Sequence, residues 1–481
     1  MNVGLDAASA LLLLPAASAL LLLALSAPRL GAWLNAASAA LSFVAAASLL
    51  LVKPAEGDFL RVDDLNIVFL VLNSFVGATT SLYSAGYIAH ELETGRLSPA
   101  QMRVYHAMYQ VLLFAMNLAL LASNLGVMWV AIELATLTTV LMVGLYRTPA
   151  AIEAAWKYFI LGSVGIALAL FGTILVYMAA RPVVGEGHDG MLWTVLMSHA
   201  AAFDPALLNL AFVFLLLGYG TKVGLVPLHS WLPDAHAEGP TPISAVLSGL
   251  LLNVALYAVL RFKLLLAAAP GALAPGPLLM GLGLLSLLFA GLMLYRRRDI
   301  KRLFAFSSIE HMGLIAFAFG IGGPVANFAG LLHMVMHSLT KSAIFFGVGH
   351  AVQVKGTQAL SEIRGLTASH PLLGWGLVAG VAAIVGLPPA GVFMSEFLIL
   401  TSTVARAPVL AGLLALGLVI AFAALMLRLH ALAFGAPRWP SAPVKGTQVP
   451  MLVHLALVWC AGVWLPGPLV SWFQHIAHLL G

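Results

Sequence analysis

About 14 stretches of this chain are long and apolar enough to cross a bilayer, where a helix needs roughly 20 such residues. They lie near 6–26, 30–52, 65–88, 105–123, 126–146, 154–179, 206–229, 242–264, 274–296, 303–322, 325–352, 372–402, 408–434 and 449–472. Connections are short, and even 89–104 and 180–205 are too small for a soluble domain. Backbone groups in hydrocarbon must be satisfied within their own segment, so apolar runs of this length form helices. The expected fold is an all-α polytopic membrane protein, with residues 1–481 as one transmembrane domain.

The composition narrows the function classes. The chain is 62% hydrophobic and 9% charged, unlike a soluble globular protein. Its net charge of +5 is spread between spans rather than gathered in a patch, which argues against nucleic acid as a partner and leaves the lipid bilayer. One cysteine, Cys460, excludes a disulfide framework, a cysteine-ligated iron–sulfur cluster and a thiolate zinc site. No glycine-rich nucleotide loop, haem-attachment motif or serine nucleophile setting stands out. The first apolar stretch has no Lys or Arg before it, so a spanning helix is expected there rather than a secretory signal.

Alternation of the loops sorts the basic residues. One side takes Arg29, Arg96, Arg103, Arg147, Lys157, the run 296–302 in "YRRRDIKR", Lys355, Arg364, Arg428, Arg438 and Lys445. The other takes Lys53, Arg61, Arg181, Arg261, Lys263 and Arg406. The balance is about 15 to 6, which assigns the richer side to the cytoplasm and both termini to the opposite side.

Two spans carry prolines where a helix cannot tolerate them. Pro227 interrupts the seventh, and Pro388 and Pro389 interrupt the twelfth in "VGLPPAGVFMSEFLIL". Broken helices five spans apart point to two inverted five-helix repeats, 105–264 and 274–434, after an N-terminal set in 1–104 and before a last helix at 449–472. Lys222 precedes its break, whereas Glu396 follows its own.

Ionisable groups inside spans are costly and mark function. Here they are Glu133 in span five, Lys222 in span seven, Glu310 and His311 in span ten, His333, His337 and Lys341 in span eleven, and Glu396 in span twelve. The spacing 333, 337, 341 sets a titratable group about every 6 Å along one helix face, a gap that roughly one or two waters bridge. The plainer reading is a polar stripe against a neighbouring helix, which Ser or Thr would make at lower desolvation cost. Glu133 and Lys222 pair either as a structural ion pair or as a proton switch. Desolvation opposes charge on a buried lysine and a nearby carboxylate favours it, so their distance decides whether the proton stays. His311 supplies a two-way relay. His229 and His236, with Asp234 and Glu238, follow the broken helix and suit a wet access funnel better than a metal site. His430, His454, His475 and His478 fall near helix ends and are expected at the interface.

These residues carry a resemblance. "TKVGLVPLHSWLPDAHAEGPTPISAVLSG" is similar to the most recognisable segment of the antiporter-like, proton-translocating membrane subunits of respiratory complex I, multisubunit cation/proton antiporters and membrane-bound hydrogenases. "LGVMWVAIELATLTTVL", "YRTPAAIEAAWKYFILGSVGIA" and "IKRLFAFSSIEHMG" resemble the hydrogenase-4 component F branch. The resemblance implies 14 helices with breaks in the seventh and twelfth. It implies Glu133 and Lys222 as the carboxylate and lysine partners, His311, His337 and Lys341 on a central polar axis, and Glu396 as its terminal charge. It also marks a departure, since Asn253 in "LLLNVALYAVLRF" stands where many members have lysine. The long C-terminal lateral helix of the largest complex I members has no counterpart here.

The expected function is movement of protons along a buried Glu/Lys/His chain, driven by redox chemistry in partner subunits of a hydrogenase-4-like or NADH dehydrogenase-like complex. No cofactor is expected in this chain, and iron–sulfur, nickel–iron or flavin centres belong to soluble partners. Other antiporter-like membrane subunits complete the set of partners. One alternative is a monovalent cation/proton antiporter subunit with no redox partner. A second is a non-transporting scaffold whose buried charges are structural.

Overall fold

The computed structural model describes residues 6–54, 57, 59–436 and 442–481, and Arg438 lies outside them. The chain runs α1 (Ala7–Ala24), α2 (Pro28–Ser48), α3 (Asp64–Glu93), α4 (Pro99–Leu121), α5 (Leu125–Val143), α6 (Pro149–Val184), α7 (Trp193–His199), α8 (Pro205–Val223), α9 (Trp231–Glu238) and α10 (Thr241–Val246). It continues through a π-helical turn (Leu247–Leu251) into α11 (Leu252–Ala267), α12 (Gly276–Leu294), α13 (Ile300–Ile321), α14 (Gly323–Lys355), α15 (Leu366–Ser369), α16 (Pro371–Ile384), α17 (Gly391–Arg406), α18 (Pro408–Phe434), α19 (Val449–Val463) and α20 (Gly467–Leu479).

Among the described residues, 12 helices are long and apolar enough to span a membrane. Span twelve is the pair α16 and α17. The last span is shorter than 449–472: α19 ends at Val463, and α20 leaves it at 80°. Pro466 and Pro468 flank that corner and lack the donors a continuous helix needs. The far end of α20 is held by Lys263 Nζ donating to Leu480 O at 2.6 Å and Asn327 Nδ2 to Gly481 O at 2.7 Å.

The seventh span breaks before its proline. Helix α8 stops at Val223 because Gly224 takes a left-handed conformation with φ 82°. Gly386 does the same after α16 with φ 72°. The two breaks share one pattern, Val-Gly-Leu-x-Pro, at Val223–Pro227 and Val385–Pro389. Leu225 N donates to Gly220 O and Leu387 N to Ala382 O, both at 3.0 Å, closing the same reversed turn. With the motifs in register, Glu396 matches Asp234 and Lys222 matches Ile384. The sequence mismatch between Lys222 and Glu396 is thus resolved: the two charges belong to different positions of one motif.

Small residues let the helices approach. Gly165, Gly172 and Gly218 bring α6 against α8, and Gly283 and Gly313 do the same for α12 and α13. A side chain at Gly218 would meet the backbone of Gly165 and Ala169, which cannot yield. Gly218→Val is therefore expected to destabilise by at least about 3 kcal/mol, at the upper end for overpacking. Thermal unfolding of the detergent-solubilised chain measures it.

The two ends keep the loop groups apart. Asp234 joins Lys157 at 2.5 Å and Arg302 at 3.3 Å, and Lys445 meets Glu93 at 2.7 Å. At the other end Asp63 caps α3 and joins Arg261 at 2.6 Å and Arg61 at 3.4 Å. Burial pushes the Asp63 carboxyl up, but Arg261 and Arg61 outweigh it and hold it below its ordinary value. Each contact links loops of the same group.

Candidate functional site

The polar groups in the membrane interior gather into three sets. The first surrounds the end of α8. Lys222 lies in its last turn and is 1% exposed. Its Nζ finds no hydrogen-bond partner in the protein and stands 5.2 Å from the centre of the Tyr158 ring. Gly162 on α6 leaves the room that the ammonium occupies. Tyr158 is fixed by Thr139 Oγ1 at 2.8 Å and by stacking on Trp231 at 4.3 Å. Trp231 Nε1 in turn donates to Thr221 O at 2.8 Å, a second donor to a carbonyl in the last turn before the break. Glu133 on α5 is half-buried, and its Oε2 is also without a partner. No direct hydrogen bond joins the two groups.

The second set lies between α9, α13 and α14. Lys341 Nζ donates to Phe304 O at 2.5 Å, with the rings of Phe304 and Phe345 at 5.4 and 5.7 Å. His236 is fully buried and lies flat on Phe345 at 4.9 Å, with both ring nitrogens unpartnered. Asn253 Nδ2 donates to Ser338 Oγ at 2.7 Å and to Gly249 O at 3.1 Å, leaving Oδ1 free beside α14. The π-helical turn falls at Gly249, where Ser338 and Ser342 of α14 press close.

The third set joins α13, α14 and α17. His311 Nε2 lies 3.4 Å from Glu310 Oε2, and its Nδ1 lies 3.0 Å from His333 Nε2. His333 Nδ1 continues to Ser395 Oγ at 2.9 Å. The His311 ring also lies 5.5 Å from that of His337. Donor atoms of His311, His333 and Glu396 all fall within 4.8 Å of one another. That spacing also suits a metal, but His311 and His333 already satisfy each other. The Glu396 carboxylate folds back against Gly386 of the break.

The stripe on α14 is thus connected differently from its spacing. His311 enters from α13 and bonds His333 directly, a contact between helices that the spacing along α14 does not describe. His311 sits close to Glu396. Ser395 and Tyr158 were missed, since a serine and a tyrosine carry no signal of their own in an apolar span. His229 lines an open cleft of about 840 Å³ with Lys157, Asp234, Arg297 and Arg302, at the end richer in basic residues. His454, expected at the interface, is fully buried between α3, α14 and α19, bound to Thr79 Oγ1 at 2.8 Å and Leu339 O at 3.1 Å. The reason is that α19 packs on α14 with that face inward.

The NADH:quinone oxidoreductase/Mrp antiporter transmembrane family matches residues 122–422. A Hydrogenase-4 component F homolog of Methylacidiphilum infernorum is 62% identical over 98% of this chain and 99% of its own. A chain of the archaeal membrane-bound sulfane sulfur reductase has the same fold, with TM-score 0.87 and 23% identity over 98% of this chain and 97% of that one. A chain of respiratory complex I from Thermus thermophilus gives TM-score 0.82 and 25% identity, covering 99% and 100%.

Proposed function

This chain belongs to the NADH:quinone oxidoreductase/Mrp antiporter family of membrane subunits, and from that premise we propose that it moves protons within a hydrogenase-4-like or NADH dehydrogenase-like complex. The observation that carries the proposal is the bonded run His311–His333–Ser395, with Glu310 3.4 Å from His311 and Glu396 beside it, buried deep in the bundle. Imidazoles in series accept a proton on one nitrogen and release it from the other, so such a run conducts in either direction. Lys222 with Glu133 forms the loading end, His236, Lys341, His337 and Asn253 the middle, and Glu396 the far end. His229 in its cleft provides access from the basic side.

Driving one charge against the membrane potential costs about 2.3 kcal/mol per 100 mV. Redox chemistry in soluble partners, holding iron–sulfur, nickel–iron or flavin centres, supplies it by biasing the ion pairs. Other antiporter-like subunits lie alongside in the membrane. We place the chain in a bacterial inner membrane with the basic end cytoplasmic, and assign the halves 105–264 and 274–434 as inverted repeats.

Proton uptake by the purified complex in proteoliposomes tests this. His333→Gln and Glu396→Gln are each expected to cut redox-driven uptake at least about tenfold, equivalent to about 1.4 kcal/mol on the barrier. Unchanged uptake in both, with the complex assembled, would leave the scaffold reading. Sodium-dependent proton exchange without a redox donor would leave the antiporter reading.

A further inference from the structure

A second line of buried hydroxyls runs inward from the basic end of the bundle, from Glu91 to Thr241. Glu91 on α3 has a side chain with no exposed surface. Its Oε2 accepts from Tyr146 Oη at 2.9 Å and lies 3.2 Å from the guanidinium of Arg96, which is half exposed. Gln353 Nε2 donates to its other oxygen at 2.9 Å. Tyr146 Oη lies 3.3 Å from Tyr87 Oη, and Tyr87 Oη lies 3.3 Å from Thr241 Oγ1.

We infer that Glu91, Tyr146, Tyr87 and Thr241 form a hydroxyl wire that feeds protons from the basic end to the region of His236 and Lys341. The inference rests on the proposed proton-carrying function. Each hydroxyl offers one O–H and accepts at its oxygen, so the row points toward the Glu91 carboxylate when that group is ionised and turns toward Thr241 once Glu91 takes up a proton. With the row turned toward Thr241, a proton arriving on Glu91 passes to Tyr146 as that hydroxyl gives its own to Tyr87. Tyr87 gives its own to Thr241, and Thr241 gives its own through water to the imidazole of His236, whose ring nitrogens have no other partner. One O–H bond forms and one breaks at every step, and no net charge rests on a tyrosine.

The two ends fit the role. Arg96 keeps the buried carboxylate one guanidinium away from the surface. Thr241 opens α10, five residues after His236, and Lys301 Nζ holds the segment between them by donating to Ala237 O and Gly239 O. Tyr83 Oη, buried and unpartnered, points between Thr241 and Gly349. The Tyr83 ring packs on Phe346 at 4.7 Å, next in sequence to the Phe345 that carries His236. A network meant only to clip helices together would not need two tyrosines in series ending on a buried acid.

Single-turnover proton uptake by the intact complex in proteoliposomes is the test, with complex yield and melting temperature recorded alongside. Tyr87→Phe and Glu91→Gln keep the packing and cut the wire, and each is expected to slow uptake at least about tenfold. Tyr109→Phe removes a buried hydroxyl bonded to Gly77 O and is expected to leave uptake unchanged. Equal slowing by Tyr87→Phe and Tyr109→Phe would reduce the row to a structural role. Normal uptake in Tyr87→Phe and Glu91→Gln, with Lys222→Met inactive, would remove the wire and leave the proposed function standing. Normal uptake in Lys222→Met as well would remove both.

Discussion

Lys222→Met is expected to abolish proton movement and at the same time to raise the melting temperature of the complex. The lysine is buried without a hydrogen-bond partner, with its ammonium against Gly162 and 5.2 Å from the centre of a tyrosine ring. A charge or a lone amine there is desolvated without full compensation, so an unbranched apolar side chain of similar length fits at lower cost. The expected gain is about 1–3 kcal/mol, the scale of an unsatisfied buried polar group. Loss of transport together with gain in stability separates a working group from a structural one. If Lys222 were a structural partner of Glu133, the same substitution would lower stability and leave transport near normal. Redox-driven acidification and a thermal melt of the same preparation decide between them.

The opposite result is expected at the other end of the bundle. Arg261 is buried, bonded to Asp63 at 2.6 Å and to Tyr257 Oη at 2.9 Å, and its guanidinium lies 5.0 Å from the Trp193 ring. Asp63 caps α3 while bound to α11, so this contact ties the N-terminal helices to the first half of the bundle. Removing one member of a buried pair costs about 3–5 kcal/mol, because the survivor keeps its desolvation and loses its partner. Arg261→Met is expected to cost about 3 kcal/mol, since Arg61 still faces Asp63 at 3.4 Å. The consequence is loss of assembled complex rather than of specific activity. A normal yield of Arg261→Met with reduced pumping would instead place Arg261 in the proton path.

The fold was legible because hydrocarbon leaves so few choices. Apolar length located the spans, and Pro227 and Pro389 marked the two interrupted ones. What escaped was local: α8 is ended by Gly224, and glycine carries no sign of the conformation it will take. The charged members of the site were visible for the same reason that the spans were, since Lys222, Lys341 and Glu396 stand out against an apolar background. Their connections were not visible. The contact of His311 with His333 crosses between helices, and the 333, 337, 341 spacing describes only one of them. Asn253 was singled out because its type departs from the lysine common in the resembling family, and its bond to Ser338 ties it to α14 beside His337.

The early end of α8 has an electrical meaning. A helix that stops inside the hydrocarbon leaves its last carbonyls pointing one way, equivalent to roughly half a negative charge at that terminus. Lys222 stands within that last turn. The main chain therefore acts as a permanent counter-ion that no side-chain substitution removes, worth about 0.3–1 kcal/mol or more where water is scarce. Glu133 does not hold the ammonium alone; it trims a bias the peptide backbone has already set.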